Sequence, residues 1–398
     1  MICYKILKSN INMSQQDSNI NVSYLNNESM HNMNRLKDRL NTVKSKLDCI
    51  YETNYNKACK IMRYFDPFIY VKHNISDKIN ATNVTNAWLK GYEILSKFNL
   101  IPEKCDKFVY FDNAALPGSF VLATHHLVHT KCDIKDFKWL ASSLLPSSTN
   151  TSLKDVFKLY KNYKDNWLID ADDNNNGDIT KWNNIIDINS KLTKKLDGDH
   201  LIDLYSCDIG IDIGINYNDQ EMIHQHLNIS QIVCGIMNLK GGGSMFIKHY
   251  TIFEPYTISY ISLLIELFDT VYIVKPISSR RTNSEVYIVC KKYKYPFDIN
   301  NQLIYDKLIS ETICYTGIPL VSVDKISKTL DSLYNASLDI FIRQIESLNL
   351  FIDLYNYGNP GKIHNIMNYN KKLVKKYTSL NLLFINDVDK LNIVNGYK

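Results

Sequence analysis

The chain is 398 residues long, 45% hydrophobic and 22% charged. That balance excludes a largely disordered chain, a collagen-like fibre and a coiled-coil rod, and the length fits one large domain with extensions, or two domains. The net charge of +5 is unevenly placed: residues 1–100 carry 14 basic and 8 acidic side chains, residues 301–398 carry 11 and 9, and the middle is net negative. A phosphate polymer would favour the flanks over the middle, although lysine-rich flanks read equally well as solvated helix faces.

Nine cysteines are spread along the chain with no C-x-x-C pair. Neither a disulfide framework nor a thiolate zinc site is expected, and a reducing compartment fits better. The opening residues lack the continuous apolar core of a signal peptide. The best apolar stretch, Thr257–Ile277, contains Glu266 and Asp269 and reads as a helix followed by a strand, not a membrane span. A soluble cytoplasmic protein with no membrane partner is expected.

In chain order, residues 1–30 are polar and rich in Asn and Ser, which predicts disorder. Residues 31–83 form a helical N-terminal extension, with Met33, Leu36, Leu40, Val43 and Leu47 recurring at spacings of three and four. A second helix runs from Asn86 to Leu100. Trp88, Tyr92, Leu95 and Phe98 share its apolar face, and Lys90 points away from it. Strand character follows at Phe108–Phe111, a helix at Val121–Val128, and a strand with its loop over 137–145. Residues 161–178 are acidic and Asn-rich and read as a long loop.

Alternation resumes with a strand at Leu201–Ser206, a helix at Asn218–Leu239, a turn at Gly241-Gly242-Gly243 and a strand at Ser244–Ile247. A helix at Tyr256–Phe268, a strand at Val271–Val274 and an antiparallel strand at Val286–Cys290 complete it. This predicts a doubly wound α/β sheet over residues 84–295. Residues 296–398 read as a helical C-terminal region, where Leu330, Leu333, Phe341, Ile345 and Leu348 recur.

Ligands bind such sheets at the carboxyl ends of the strands. The polar residues just after each strand are therefore the candidates: Asp112 with the Leu116-Pro117-Gly118-Ser119 turn, Asp208, and Lys248. Glu285 lies just before the last strand, and Lys90 can join from the preceding helix. Taken singly each is an ordinary surface charge, and only position relative to the strands marks them out.

These residues carry a resemblance. Asp203 to Gly210 (DLYSCDIG) resembles the D-x-x-x-x-D-G-G segment of FtsJ-like ribose 2′-O-methyltransferases, and Gly241 to Lys248 (GGGSMFIK) resembles their GG-x-F-x-x-K strand. Lys275 to Cys290 (KPISSRRTNSEVYIVC) closely resembles the KP-x-x-SR-x-x-NSE-x-Y-x-VC segment of the messenger-RNA cap enzymes in that family. Asn86 to Lys90 (NAWLK) resembles the segment supplying the family's first lysine. Together with WLASSLLPS at Trp139–Ser147, the pattern looks most like the version encoded by large nucleocytoplasmic DNA viruses, including African swine fever virus.

The resemblance covers about residues 84–292 and implies a Rossmann-like class I methyltransferase sheet with helical N- and C-terminal extensions. It implies S-adenosyl-L-methionine as cofactor and RNA as substrate, with the NSE-x-Y segment favouring a cap-proximal nucleotide of mRNA and transcription or capping proteins as further partners. A viral factory or a packaged transcription machine would be the setting. The family's Lys-Asp-Lys-Glu tetrad falls on Lys90, Asp208, Lys248 and Glu285.

The chemistry explains those residue types. A ribose hydroxyl must lose a proton as it attacks the sulfonium methyl, and a lysine accepts it only when partly neutral, which needs a depressed pKa. Lys248 is expected to be that base and Lys90 to position the hydroxyl, while Asp208 and Glu285 hold the two ammonium groups. No metal is required.

The family's D-x-x-x-x-PGGF motif implies a cofactor site at Asp112, Leu116, Pro117, Gly118, Ser119 and Phe120, and its G-D-[FIV] segment implies Asp178 at the adenine. Ser119 and Ile209 stand where the family has glycine. They leave open a catalytically inactive RNA-binding or scaffold subunit, and ribosomal or transfer RNA remains an alternative substrate. Arg280 and Arg281, beside Glu285, are candidates for the RNA backbone. His125 and His129 have ligand spacing but no partner motif, so metal binding is not expected. The basic stretch Lys362, Lys371, Lys372, Lys375 and Lys376 either tracks phosphate or faces solvent.

Overall fold

A computed structural model describes residues 1–7, 28–145, 154–169, 175–196, 202–210, 217–294 and 323–381. Its strands are β1 (Ile2–Ile6), β2 (Lys104–Asn113), β3 (Asp133–Ser142), β4 (Ile202–Cys207), β5 (Leu239–His249), β6 (Phe268–Lys275) and β7 (Val286–Tyr293). They form one sheet in the order β1-β6-β7-β5-β4-β2-β3. Strands β3, β2, β4 and β5 are parallel, β7 runs antiparallel to both β5 and β6, and β1 is antiparallel to β6. The chain passes outward from β2 to β3 and then returns to the far side of β2 as β4. The order therefore reverses between β2 and β4, where open α/β sheets bind ligands.

The helices are α1 (Glu28–Met62), α2 (Lys72–Lys78), α3 (Asn86–Phe98), α4 (Ser119–Lys131), α5 (Trp182–Lys195), α6 (Gln225–Asn238), α7 (Pro255–Leu267), α8 (Val323–Tyr357) and α9 (Pro360–Asn381), with one-turn helices at Leu159–Asn162 and Gln220–Ile223. Strand residues alternate between two apolar layers. Val109, Phe111, Tyr205, Met245 and Ile247 enter one layer, shared with α1, α5, α6, α7 and α8. Phe108, Tyr110, Leu204, Phe246 and Tyr287 enter the other, shared with α3 and α4. A sheet covered on both faces needs apolar residues at consecutive positions, which is why its strands read as short apolar runs and not as alternating patterns.

The flanking helices belong to the same core. Met33, Leu36 and Leu40 of α1 and Leu333, Phe341 and Leu348 of α8 sit in the layer that also holds the central strands. Inside α1, Asn54 leaves helical geometry (φ −156°, ψ 87°), and its side chain accepts from Lys57 N at 2.9 Å. No described helix is long and apolar enough to cross a membrane.

Four details differ from the sequence reading. Residues 2–6, assigned to a disordered tail, form β1 on the edge of β6. Its five residues, ICYKI, are too short a run to stand out from the polar stretch that follows, and the strand draws its order from tertiary partners: α8 covers it, with Tyr4 Oη donating to Asp339 Oδ2 at 3.0 Å and Thr329 Oγ1 to the Leu7 carbonyl at 3.0 Å. Residues 8–27 of that expected tail lie outside the described residues. The three glycines at 241–243 lie within β5, where the register with β4 shifts, instead of making a separate turn. The helix expected over 218–239 is two pieces divided at His224. The expected 161–178 loop contains a short 3₁₀ turn at Lys164–Asn166, and its residues 170–174 lie outside the described residues.

Candidate active site

Strand register assembles the four expected charges. Cys207 pairs with Ile247, so Asp208 and Lys248, each one residue further along parallel strands, leave the sheet side by side. Lys248 Nζ lies 3.2 Å from Asp208 Oδ1 and donates to the Asp208 carbonyl at 2.7 Å. His249 pairs with Val286 on the antiparallel strand, which brings Glu285 to the same end of the sheet. Lys90 reaches in from α3 and pairs with Glu285 Oε2 at 2.8 Å, both side chains about 10% exposed (12% and 10%). Thr85 N-caps α3, accepting from Trp88 N at 3.0 Å. The tetrad residues are dispersed over 196 positions of sequence, and the two pairs lie close enough that Lys248 and Glu285 act on each other's charge.

The electrostatics correct one expectation. Burial does push Lys248 down, but the charges of Asp208, Tyr250 and Glu285 outweigh it, and the ammonium is held above the ordinary lysine value. Lys248 is thus a cation in the resting chain, not a depressed, partly neutral base. Burial would raise Glu285, yet Lys90, Lys248 and Lys275 together bring it down to about 2. Tyr287 Oη donates to Asp208 Oδ1 at 3.0 Å and Ser279 Oγ to Glu285 Oε1 at 2.9 Å, so both carboxylates are held from a second side.

Two buried residues hold the segment 276–285, and their roles were not visible in the sequence. Glu93, one turn after Lys90, accepts from Ile277 N at 2.9 Å, Ser278 N at 3.2 Å and Ser278 Oγ at 3.0 Å. Burial raises its pKa, against the pull of those donors. Lys275 donates to the carbonyls of Asn283 (2.8 Å) and Glu285 (2.6 Å) and to Asn283 Oδ1 (2.5 Å), and burial lowers it to about 7. A glutamate among the apolar positions of α3 was the available signal for the first; the strand-end lysine was seen only as part of a motif.

The loop after β2 lies at the reversal point of the sheet. Gly118 takes φ 109°, a left-handed value suited to glycine, and opens α4. Ser119 Oγ is 2.9 Å from Thr85 Oγ1, so its side chain is tied to the start of α3. Asp112 is 2% exposed. Its Oδ1 accepts from Ser206 Oγ at 2.5 Å, and burial raises its pKa well above the carboxylate range. Leu116 and Pro117, joined by a cis peptide bond, precede Gly118, and the Phe120 ring contacts those of Phe246 and Tyr287. Of this set, Gly118 caps α4, Ser119 and Phe120 lie in its first turn, and Asp112, Ser119 and Phe120 are all buried.

Asp178 ends a turn docked on the end of β3, where Leu145 N donates to the Asn176 carbonyl at 2.9 Å. Its Oδ1 accepts from Thr180 N at 3.1 Å. Ile209 packs against the apolar layer. Arg280 is paired with Asp66 at 3.4 Å, whereas Arg281 stacks over Tyr369 of α9 at 3.7 Å. Among the described residues no group of three or more His, Cys, Asp or Glu could hold a metal ion. The rings of His125 and His129 lie with centroids 4.1 Å apart and planes tilted by 39°.

The family model for FtsJ-like methyltransferases matches residues 83–293, the stretch that carries all four of these charges. The chain belongs to the FtsJ-like methyltransferase family. It is 34% identical over 358 residues to the African swine fever virus protein named "Probable methyltransferase EP424R", covering 87% of this chain and 82% of that one. It is 31% identical over 272 residues to the mouse cap-specific mRNA (nucleoside-2′-O-)-methyltransferase 2, covering 65% of this chain and 33% of that enzyme. A solved ribosomal RNA methyltransferase from Plasmodium falciparum shares 19% identity over 52% of this chain and 97% of its own, with a TM-score of 0.31. The FtsJ-like region thus ends with β7, and α1 and α8 lie outside it although they share its core.

Proposed function

We propose that this chain methylates the ribose 2′-hydroxyl of RNA, at a cap-proximal nucleotide of mRNA, using S-adenosyl-L-methionine. The observation that carries this reading is the convergence of Lys90, Asp208, Lys248 and Glu285 at the ligand-binding end of the sheet. The likeness to cap-specific enzymes supports the choice of mRNA.

The donor site fits the start of α4, since the first N–H groups of a helix suit a carboxylate, with Gly118 as its N-cap. When bound, S-adenosyl-L-methionine supplies a methyl group on a cationic sulfur. Lys90, fixed by Glu285, orients the hydroxyl oxygen for in-line attack and steadies its developing charge. Lys248 takes the proton. Because Lys248 rests as an ammonium, it must first release a proton, and the pH at which it does so limits the rate below that point.

Isothermal titration with S-adenosyl-L-methionine, followed by methyl transfer to capped and uncapped RNA, tests this reading. Micromolar binding, transfer that prefers capped RNA and loss of transfer in Lys248→Ala are expected. No binding at millimolar cofactor would favour the scaffold alternative, and equal use of uncapped RNA would remove the cap preference.

A further inference from the structure

A cavity of about 460 Å³ lies between α1, α8 and the 276–285 segment, and Lys90 lines it as well as belonging to the tetrad. That volume falls within the roughly 300–1,000 Å³ of small-molecule sites. Three tyrosines (Tyr51, Tyr217 and Tyr250) and three cations (Lys44, Lys90 and Arg280) line it, and none of its described lining residues is acidic. Part of the wall comes from outside the FtsJ-like region, including Lys44 and Tyr51 from α1 and Gln344 from α8.

The wall is built, not incidental. Tyr51 is stacked on Phe351 of α8 with centroids 6.3 Å apart and an angle of 20°, and Phe351 meets Phe65 edge-on at 6.2 Å. Lys44 Nζ donates to the Tyr217 carbonyl at 3.1 Å. Gln344 Nε2 donates to the Thr282 carbonyl at 3.1 Å and to Ser284 Oγ at 3.0 Å, which ties α8 to the residues leading into Glu285. Aromatic faces, cations and amides together suit a planar heterocycle joined to an anionic linkage. Single-stranded RNA is bound in that way, by stacking of unpaired bases and cations on the backbone.

We infer that this cavity holds the base of the nucleotide next to the acceptor ribose, stacked against Tyr51 and Tyr217, with Lys44 and Arg280 on its phosphate. The two helical extensions are then part of the RNA site. This inference rests on the RNA reading above, because Lys90 brings the cavity within one nucleotide of the reacting hydroxyl.

The test uses the full chain and a capped oligoribonucleotide with 2-aminopurine at the nucleotide next to the acceptor. Wild-type binding should change the fluorescence. Tyr51→Ala and the half-exposed Tyr217→Ala should each raise KM for RNA roughly ten- to hundredfold, with kcat and the S-adenosyl-L-methionine Kd within twofold. Tyr51→Phe, which keeps the ring, should behave as wild type. If the wild type methylates RNA but both alanine variants keep its KM and its fluorescence change, the pocket assignment is overturned and the RNA reading stands. If the wild type methylates no RNA, the RNA reading fails first and the pocket assignment with it.

Discussion

Lys275 and Glu285 stand at the two ends of one loop, and the buried ammonium of Lys275 donates to the Glu285 carbonyl at 2.6 Å. The same ammonium takes Asn283 by both its carbonyl and its side chain. Glu93 holds the other limb through Ile277 and Ser278. A carboxylate that must meet Lys90 is therefore fixed by two buried groups that touch no reacting atom.

Lys275→Met keeps most of the apolar stem and deletes the donor. It leaves carbonyls of the loop unsatisfied in the interior, at about 1–3 kcal/mol for each. Urea unfolding should show that loss, and kcat should fall at least tenfold while the cofactor Kd stays within twofold. A variant with the wild-type midpoint and full kcat would remove Lys275 from this role.

Asp208 sets the titration of Lys248. Its carboxylate, with Tyr250 and Glu285, lifts the lysine above its ordinary value against the effect of burial. Asp208→Asn removes that charge, so Lys248 releases its proton at lower pH. The rising limb of kcat against pH should move to lower pH, even if the plateau falls because Lys248 is less firmly held. An unmoved limb, followed from neutral pH to about 11.5 so that it passes the ordinary lysine value, would mean that Lys248 is not the titrating base. Lys248→Ala should cost about 10²–10⁴-fold in rate.

The sheet, Asp208 and Lys248 were legible because each is local, whereas Lys90 and Glu285 were singled out by the family resemblance. A buried parallel strand announces itself as a short apolar run, and the residue that follows it lies at the ligand end. Strand β1 was not legible, since its order comes from β6 and α8, more than 260 residues away in sequence. The charge state of Lys248 was also beyond reach. Sequence shows which groups are near one another in a motif, but the contest between burial and Asp208 is decided by a 3.2 Å distance. Gln344 is similar: nothing in α8 distinguishes this glutamine until the fold places it on Thr282 and Ser284.

His126 gives the fold a pH dependence of its own. It is buried beside Trp88 and Tyr92, with ring centroids at 5.6 and 5.9 Å, and neither ring nitrogen has a hydrogen-bond partner among the described residues. Burial lowers its pKa to about 4, and that of His125 to about 3. Unfolded histidines take up protons near pH 6.5, well above the folded values. The stability they contribute is present above about pH 6.5 and is lost as pH falls toward 4, at up to about 1.4 kcal/mol per unit for each. Unfolding midpoints at pH 7.5 and 5 should differ accordingly, and His126→Phe should flatten the slope. Equal slopes in the two proteins would count against this assignment.

Gly177 fixes the turn that presents Asp178. Its φ is +81°, and a Cβ there would collide with the backbone carbonyl oxygen of Ser143, which cannot swing aside without moving β3. Gly177→Ala must therefore displace the turn, shifting Asp178 relative to the first turn of α4. The expected result is a cofactor Kd weakened at least tenfold, with unfolding destabilised by about 1–3 kcal/mol. Gly242→Ala is the matched control. It has the same φ of +81° but nothing within 4 Å of its Cβ, so only backbone strain of about 1–2 kcal/mol remains and the cofactor Kd should not change. Equal effects of the two substitutions on Kd would show that the turn at Asp178 does not contribute to cofactor binding.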